Sequence, residues 1–232
     1  MKIHLAILFL VAAALAAEQP FRKVIHNTDP NARCLDGSSP AIYIHQGTDP
    51  NNFIVFFNGG GICSGNSLSE TLESCYQRSK TDLGSSKNLK DEIIVNGGYL
   101  STDPAKSKFA SWTKVIIEYC DGALHQGSNK NSVRYKDAEL FFRGANNTRS
   151  HFKYLLDKHN FRTAKQVVLT GSSAGGIATF LWNNYVRSLL ENPAAMVAIP
   201  DSAVFISTAS PETGEFKMEI QTKNLYKLVN ID

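Results

Sequence analysis

Residues 167–176 read Val-Val-Leu-Thr-Gly-Ser-Ser-Ala-Gly-Gly and run directly into Ile177, Phe180, Leu181, Tyr185 and Leu189 at helical spacing. The order is strand, G-x-S-x-G, helix. A serine on so sharp a turn projects its hydroxyl at a helix N-terminus, where backbone N–H groups and the helix dipole favour developing negative charge. Small residues on both sides let strand and helix approach closely. Ser173 is therefore the candidate nucleophile for an acyl transfer.

A second glycine-rich turn follows another apolar run, Phe53-Ile54-Val55-Phe56-Phe57 into Asn58-Gly59-Gly60-Gly61-Ile62-Cys63. Esterases of the α/β-hydrolase type place part of the oxyanion hole on such a turn, because glycine lets backbone N–H groups reach the tetrahedral oxyanion. A nucleotide-binding reading fails in detail. Ser64 stands where a dinucleotide fingerprint needs its third glycine, and no lysine follows to make a P-loop.

These turns need a sheet to carry them. Short β-rich runs, at 41–45, 53–57, 115–119, 167–170 and 197–206 with Pro200 interrupting the last, alternate with helical patterns. That alternation predicts an α/β fold with a mostly parallel sheet and helices on both faces. Ser67 and Glu70 stand at capping-box spacing and predict a helix to about Arg78. Phe152, Leu155 and Leu156 predict another ending near His159, and the stripe Ile177 to Leu189 predicts a core helix stopped at Pro193. No repeat or internal domain boundary is visible. Residues 17–232 read as part of one domain.

The chain has 232 residues, 43% of them hydrophobic and 19% charged, which excludes disorder, low complexity and a coiled coil. Its net charge is +3, or +2 without Lys2, and no basic run is interleaved with aromatics, so a nucleic-acid partner or polybasic membrane patch is not indicated. Lys2 and His4, the apolar run from Leu5 to Leu15, and Ala16-Ala17 read as a secretory signal peptide over residues 1–16, cleaved after Ala16 or Ala17. The run is too short to span a bilayer. In an oxidising compartment Cys34, Cys63, Cys75 and Cys120 form an even set for two disulfides, with three connectivities open. Zinc is disfavoured because no C-x-x-C pair or histidine doublet accompanies them, and no cofactor is indicated. Asn146-Asn147-Thr148 is a glycosylation sequon.

In order along the chain, Cys34-Leu35-Asp36-Gly37-Ser38, Gly59-Gly60-Gly61-Ile62-Cys63, Cys75, Arg78, Gly84-Ser85-Ser86, Tyr119-Cys120-Asp121-Gly122, Phe142-Arg143-Gly144, Thr170 to Gly176 and Asp201-Ser202 resemble motifs of one family. The chain is identified as a member of the pectin acetylesterase and Notum family of secreted, α/β-hydrolase-like serine carboxylesterases. The resemblance implies Ser173 as nucleophile and the backbone N–H groups of Gly60, Gly61 and Ala174 as the oxyanion hole. It also implies Cys63–Cys75 and Cys34–Cys120 bridges, with Asp201 a group behind the site. An acylated carbohydrate or glycoprotein is the implied substrate, and a monomer is expected. Two departures stand out. Gly61-Ile62 replaces the family's usual tryptophan block, which would reshape the acyl pocket, and Ala123-Leu124-His125-Gln126-Gly127-Ser128 replaces the usual Gly-Ala-Ser stretch.

Serine needs a histidine base and an acid to orient it, ordered Ser, Asp or Glu, His in this class. No histidine follows Ser173. His4 lies in the leader. His26 and His45 read as loop or edge-strand residues, His151 and His159 as solvated on a helix, and His125 as the one conceivable substitute base, since it lies past the C-terminal end of a strand. The chain is expected to lack the C-terminal portion of its domain, with the acid and histidine further downstream. The competing reading is a catalytically silent truncated member or a secreted binding protein.

Overall fold

In the computed structural model, residues 17–191 and 195–229 are described, so the expected signal peptide and the Pro193 stop lie outside the described residues. The chain forms strands β1 (Phe21–Ile25), β2 (Ala41–His45) and β3 (Asp49–Phe57), helix α1 (Leu68–Arg78), and strands β4 (Glu92–Ile93), β5 (Trp112–Ile117), β6 (Val133–Tyr135) and β7 (Ala138–Leu140). Then come helix α2 (Gly144–Lys158), strand β8 (Gln166–Ser172), helix α3 (Ala174–Ser188), strand β9 (Met196–Asp201) and helix α4 (Lys217–Val229).

Seven strands make one sheet in the order β4-β1-β2-β5-β3-β8-β9, and β6-β7 form a separate hairpin. β5, β3, β8 and β9 run parallel, while β2, β1 and β4 continue the sheet antiparallel on one side. The carboxyl ends of the parallel strands therefore converge on Asn58, Glu118, Ser173 and Asp201, the end at which such sheets hold ligands.

Period-2 alternation in the strands sorts the core into two faces. Ile42, Phe53, Val55, Phe57, Val115 and Ile117 pack against Phe152 and Leu155 of α2 and Ala178, Trp182 and Val186 of α3. On the opposite face Tyr43, Ile54 and Ile116 are covered by Leu100, Phe109 and neighbours from the loop and turns of 94–111. Lys114 sits wholly buried in β5, its Nζ donating to the carbonyls of Phe109, Ala110 and Trp112 at 2.6, 3.0 and 3.1 Å. Burial pushes its ammonium down to about 8, against a smaller upward pull from the Glu18 carboxylate. A third cluster, beyond the strand ends, joins α1, α4 and the β6-β7 hairpin through Cys75, Tyr76, Leu140, Leu225 and Leu228.

The expected capping residues act at α1, where Ser67 Oγ accepts from Glu70 N–H at 3.2 Å. Glu70 returns to Asn66 N–H at 2.8 Å, one residue earlier than a closed capping box requires. Two expectations fail. The stripe assigned to the core of α3 is partly wrong, since Phe180 and Leu181 are 58% and 54% exposed. The buried stripe is Ala174, Ala178, Trp182 and Val186, because small residues let this helix lie close on the sheet. The strand expected to reach Ile206 ends at Asp201: Ser202 takes φ +52° and turns the chain out, leaving Val204 and Ile206 exposed.

Candidate active site

Ser173 occupies the turn between β8 and α3 at φ +57°, ψ −119°, a conformation an L-residue holds only when its surroundings enforce it. The enforcement is visible. Ser173 N–H donates to Asp201 O at 3.1 Å, and its own carbonyl accepts Ile177 N–H at 3.1 Å. A Cβ on Gly175 would lie 1.9 Å from Phe57 O, one on Gly171 2.4 Å from Gly175 O, and one on Gly59 2.3 Å from Ser172 O. The two glycine-rich turns interlock backbone to backbone, which no side chain would allow.

The 59–61 turn is pinned from outside through its carbonyls. Arg78 Nη2, at the C-terminus of α1, donates to Gly60 O. Tyr119 Oη donates to Gly61 O at 2.8 Å, and the His125 Nε2–H donates to Asn58 O at 2.8 Å. Asn58 Nδ2 in turn donates to Glu118 Oε1 at 3.0 Å. The structure pairs Cys63 with Cys75 and Cys34 with Cys120, and the first of these ties the end of the turn to α1. Among the described residues the N–H groups of Gly60, Gly61 and Ala174 have no hydrogen-bond acceptor. Ala174 N–H belongs to the first turn of α3, where no helical carbonyl is available to it.

Gly61, Ser173 and Ala174 line one cavity of about 280 Å³, with Ile62, Leu124, Ile177, Phe205, Met218, Gln221 and Thr222. Its wall is largely aliphatic and aromatic, the lining an acyl group would take. Gly60 stands beside it at φ +147°. Asp201 meets the site through its backbone: its carbonyl holds Ser173 N–H, and among the described residues its carboxylate accepts only from Ser202 Oγ, at 3.0 Å.

Among the described residues Ser173 Oγ has no hydrogen-bond partner, and no histidine reaches it. The reading of His125 as a substitute base does not fit its place. It is 2% exposed, wedged between the rings of Phe57 and Tyr119 at 4.9 and 4.8 Å, and its Nε2 is engaged by Asn58. Burial holds the imidazole neutral by pushing it down to about 4. His151, expected in solvent, is fully buried, with Nδ1 2.9 Å from His26 Nε2 and Nε2 without a partner. His26, also buried, stacks on Tyr154 with ring centroids 4.8 Å apart. Two carboxyls near the turn are displaced the other way: desolvation pushes Glu118 and Asp121 up to about 7 each.

Arg78, Tyr119 and His125 carry contacts that spacing could not reveal, since they reach the turn across 18 to 67 residues of sequence. Their only advance signal is membership of family-like motifs for the first two.

The family described as Pectinacetylesterase matches residues 13–231. The chain belongs to the pectin acetylesterase family. It is 37% identical over 180 residues to pectin acetylesterase 5 of Arabidopsis thaliana, covering 76% of this chain and 40% of that one. Against pectin acetylesterase 4 of the same plant it is 33% identical over 198 residues, covering 82% and 46%. The palmitoleoyl-protein carboxylesterase NOTUM of Schmidtea mediterranea is 28% identical over 182 residues, covering 76% and 33%. In three dimensions the Wnt deacylase Notum from Drosophila superposes with a TM-score of 0.78 at 22% identity, covering 92% of this chain and 61% of that chain. The α/β-hydrolase-like fold is thereby shown. The chain spans less than half the length of these curated relatives.

Proposed function

We propose that the protein is a secreted serine carboxylesterase that removes acetyl or longer acyl groups from polysaccharide or glycoprotein esters. The observation that carries the reading is Ser173, held at positive φ on the wall of an apolar cavity it shares with Gly61 and Ala174. Ser173 Oγ attacks the ester carbonyl while the N–H groups of Gly60, Gly61 and Ala174 receive the oxyanion. Collapse of the tetrahedral species expels the alcohol and leaves an acyl-serine. Water then attacks that ester through the same oxyanion site and releases the acid, regenerating Ser173.

Each attack sheds a proton, so the reading requires a base and an orienting acid from outside the described residues. Two disulfides fit an oxidising compartment, consistent with a signal peptide over 1–16. Among the described residues no helix is long and apolar enough to cross a membrane. We assign residues 17–232 to the N-terminal part of the esterase domain, a glycan to Asn146 in the first turn of α2, and a monomeric state.

The test is fluorophosphonate labelling of the full-length secreted protein, with hydrolysis of p-nitrophenyl acetate measured alongside. The expected result is labelling at Ser173, and a loss of at least about 10³-fold in kcat for Ser173→Ala. Absence of labelling would leave the competing reading, a catalytically silent secreted binding protein.

A further inference from the structure

We infer that Arg78 is a positioning residue for oxyanion stabilisation, its guanidinium holding the Gly60 carbonyl so that the Gly61 N–H is aimed at, and polarised toward, the oxygen of the ester carbonyl under attack by Ser173. The inference rests on the esterase reading above.

A trans peptide is planar, with its C=O and N–H on opposite sides. The Gly60 carbonyl and the Gly61 N–H belong to one such unit. A donor fixed on Gly60 O therefore fixes the direction of Gly61 N–H, and Gly61 lines the same cavity as Ser173. Tyr119 and His125 hold the carbonyls on either side, but among the described residues Arg78 is the one donor on the Gly60–Gly61 peptide itself, whose flanking glycines at φ +147° and +71° resist its rotation poorly.

The donor is also a cation. Hydrogen bonds to a charged group are the stronger kind, and a charge drawing on a carbonyl strengthens the N–H across the same peptide. Among the described residues no carboxylate lies within ion-pair distance of Arg78. The guanidinium feels the Asp121 carboxyl without pairing with it, and among the described residues its one hydrogen-bond partner is Gly60 O. A Cβ placed on Gly61 would stand only 3.7 Å from Arg78 Nη2, so the guanidinium lies against the peptide it is argued to polarise.

The position of Arg78 is itself fixed. Its Cζ lies 5.4 Å from the centre of the Tyr119 ring, and its Cδ would be 2.9 Å from a Cβ on Gly122. One turn earlier in α1, Cys75 is bonded to Cys63, two residues beyond Gly61. Helix, disulfide and ring thus form a frame against which the fork is held.

The experiment uses the full-length secreted protein and its Arg78→Met, Arg78→Gln and Arg78→Lys variants. The readouts are kcat and KM for p-nitrophenyl acetate, the rate of Ser173 phosphonylation, and thermal unfolding. Loss of a whole oxyanion donor costs about 10²- to 10³-fold, so mis-aiming one should cost about 10- to 100-fold in kcat and in phosphonylation for Arg78→Met, with KM within about threefold. Arg78→Lys should recover part of the loss, because it restores charge without the planar fork. If Arg78→Met does not fold, Arg78→Gln decides: it can still donate to Gly60 O but has no charge, and about a tenfold loss is expected.

A kcat within about twofold of wild type for the folded variants would overturn the inference while leaving the esterase intact. So would a loss confined to KM, or an Arg78→Lys variant no better than Arg78→Met. A wild-type protein that neither turns over nor labels at Ser173 removes the esterase reading, and this inference with it.

Discussion

The interlocked turns around Ser173 and the strand edge at β9 lie side by side in one sheet, yet they are built on opposite terms. At the turns Gly59, Gly171 and Gly175 meet backbone alone, and the carbonyls of Asn58, Gly60 and Gly61 each accept a long-range donor. At the edge, Val197 and Ile199 stand 47% and 51% exposed, and Val204 and Ile206 beyond them 81% and 75%. The first region is over-determined, which is what allows it to hold Ser173 at a costly φ. The second has half its hydrogen-bonding row and one apolar face without a neighbour among the described residues.

The largest expected effect comes from inserting a single methyl group into the first region. Gly175→Ala would place a Cβ 1.9 Å from Phe57 O, and neither turn can yield without dismantling the other. The expected outcome is failure to accumulate folded protein, a cost of about 4 kcal/mol or more. Gly97→Ala is the matched control, because its φ is +91° but nothing lies within 4 Å of the added atom. There only the backbone conformation opposes alanine, at about 1 kcal/mol. Secreted yield and chemical denaturation of the two variants measure the contrast directly. Equal behaviour would mean that the interlock is not what holds Ser173.

The same contrast explains what could be read from the amino-acid order. Both glycine turns were legible because their requirement is local: a strand, small residues at fixed offsets, then a helix. The central strands were legible for the same reason, as runs of Phe53 to Phe57 or Val167 to Thr170 admit few other fates. Arg78, Tyr119 and His125 were not, because their partners lie far away in sequence and become neighbours only when the sheet assembles. The face of α3 was misread because Phe180 and Leu181 are apolar, whereas proximity to the sheet selected Ala174, Ala178 and Trp182. Burial of His151 was missed because its partner, His26, lies 125 residues away in sequence and becomes its neighbour only in the fold. β1 was unmarked, since Phe21 is the one fully buried side chain in it.

A smaller effect should distinguish the buried half by acid. Burial pushes His26 down to about 4, below the 6.5 of a solvated imidazole, so the unfolded chain takes up a proton there that the fold refuses. Its stabilising contribution is complete above about pH 6.5 and is lost progressively as the pH falls toward 4. Glu118 and Asp121, pushed up to about 7, run the other way: the fold keeps protons that the unfolded chain releases, so their contribution fades as the pH rises from about 4 to 7. The two trends oppose each other in wild type, and the difference between variants isolates one of them. Between pH 7 and about pH 5, wild type should lose about 1 to 2 kcal/mol relative to His26→Phe, which keeps the ring against Tyr154 and removes the titration, while the lost hydrogen bond to His151 largely cancels in the comparison across pH. Urea midpoints at the two pH values read it, and parallel curves would show that His26 takes up its proton as readily in the fold as in the unfolded chain.

The smallest effect on stability, and the most informative about the edge, should come from Ile199→Lys. Ile199 is half exposed on the outermost strand, so the substitution removes little buried area, and the expected change is within about 0.5 kcal/mol. Its neighbour Pro200 already withholds one N–H from that edge. A lysine on an exposed edge opposes pairing with a second strand. If the β9 edge is open in the full-length secreted protein, Ile199→Lys should leave the unfolding midpoint unchanged and suppress concentration-dependent light scattering. If another part of the protein covers β9, the lysine is buried against it without a partner, and stability should fall by several kcal/mol instead. The two outcomes differ in sign of consequence as well as size, so one substitution decides whether the under-determined region of these residues is under-determined in the whole molecule.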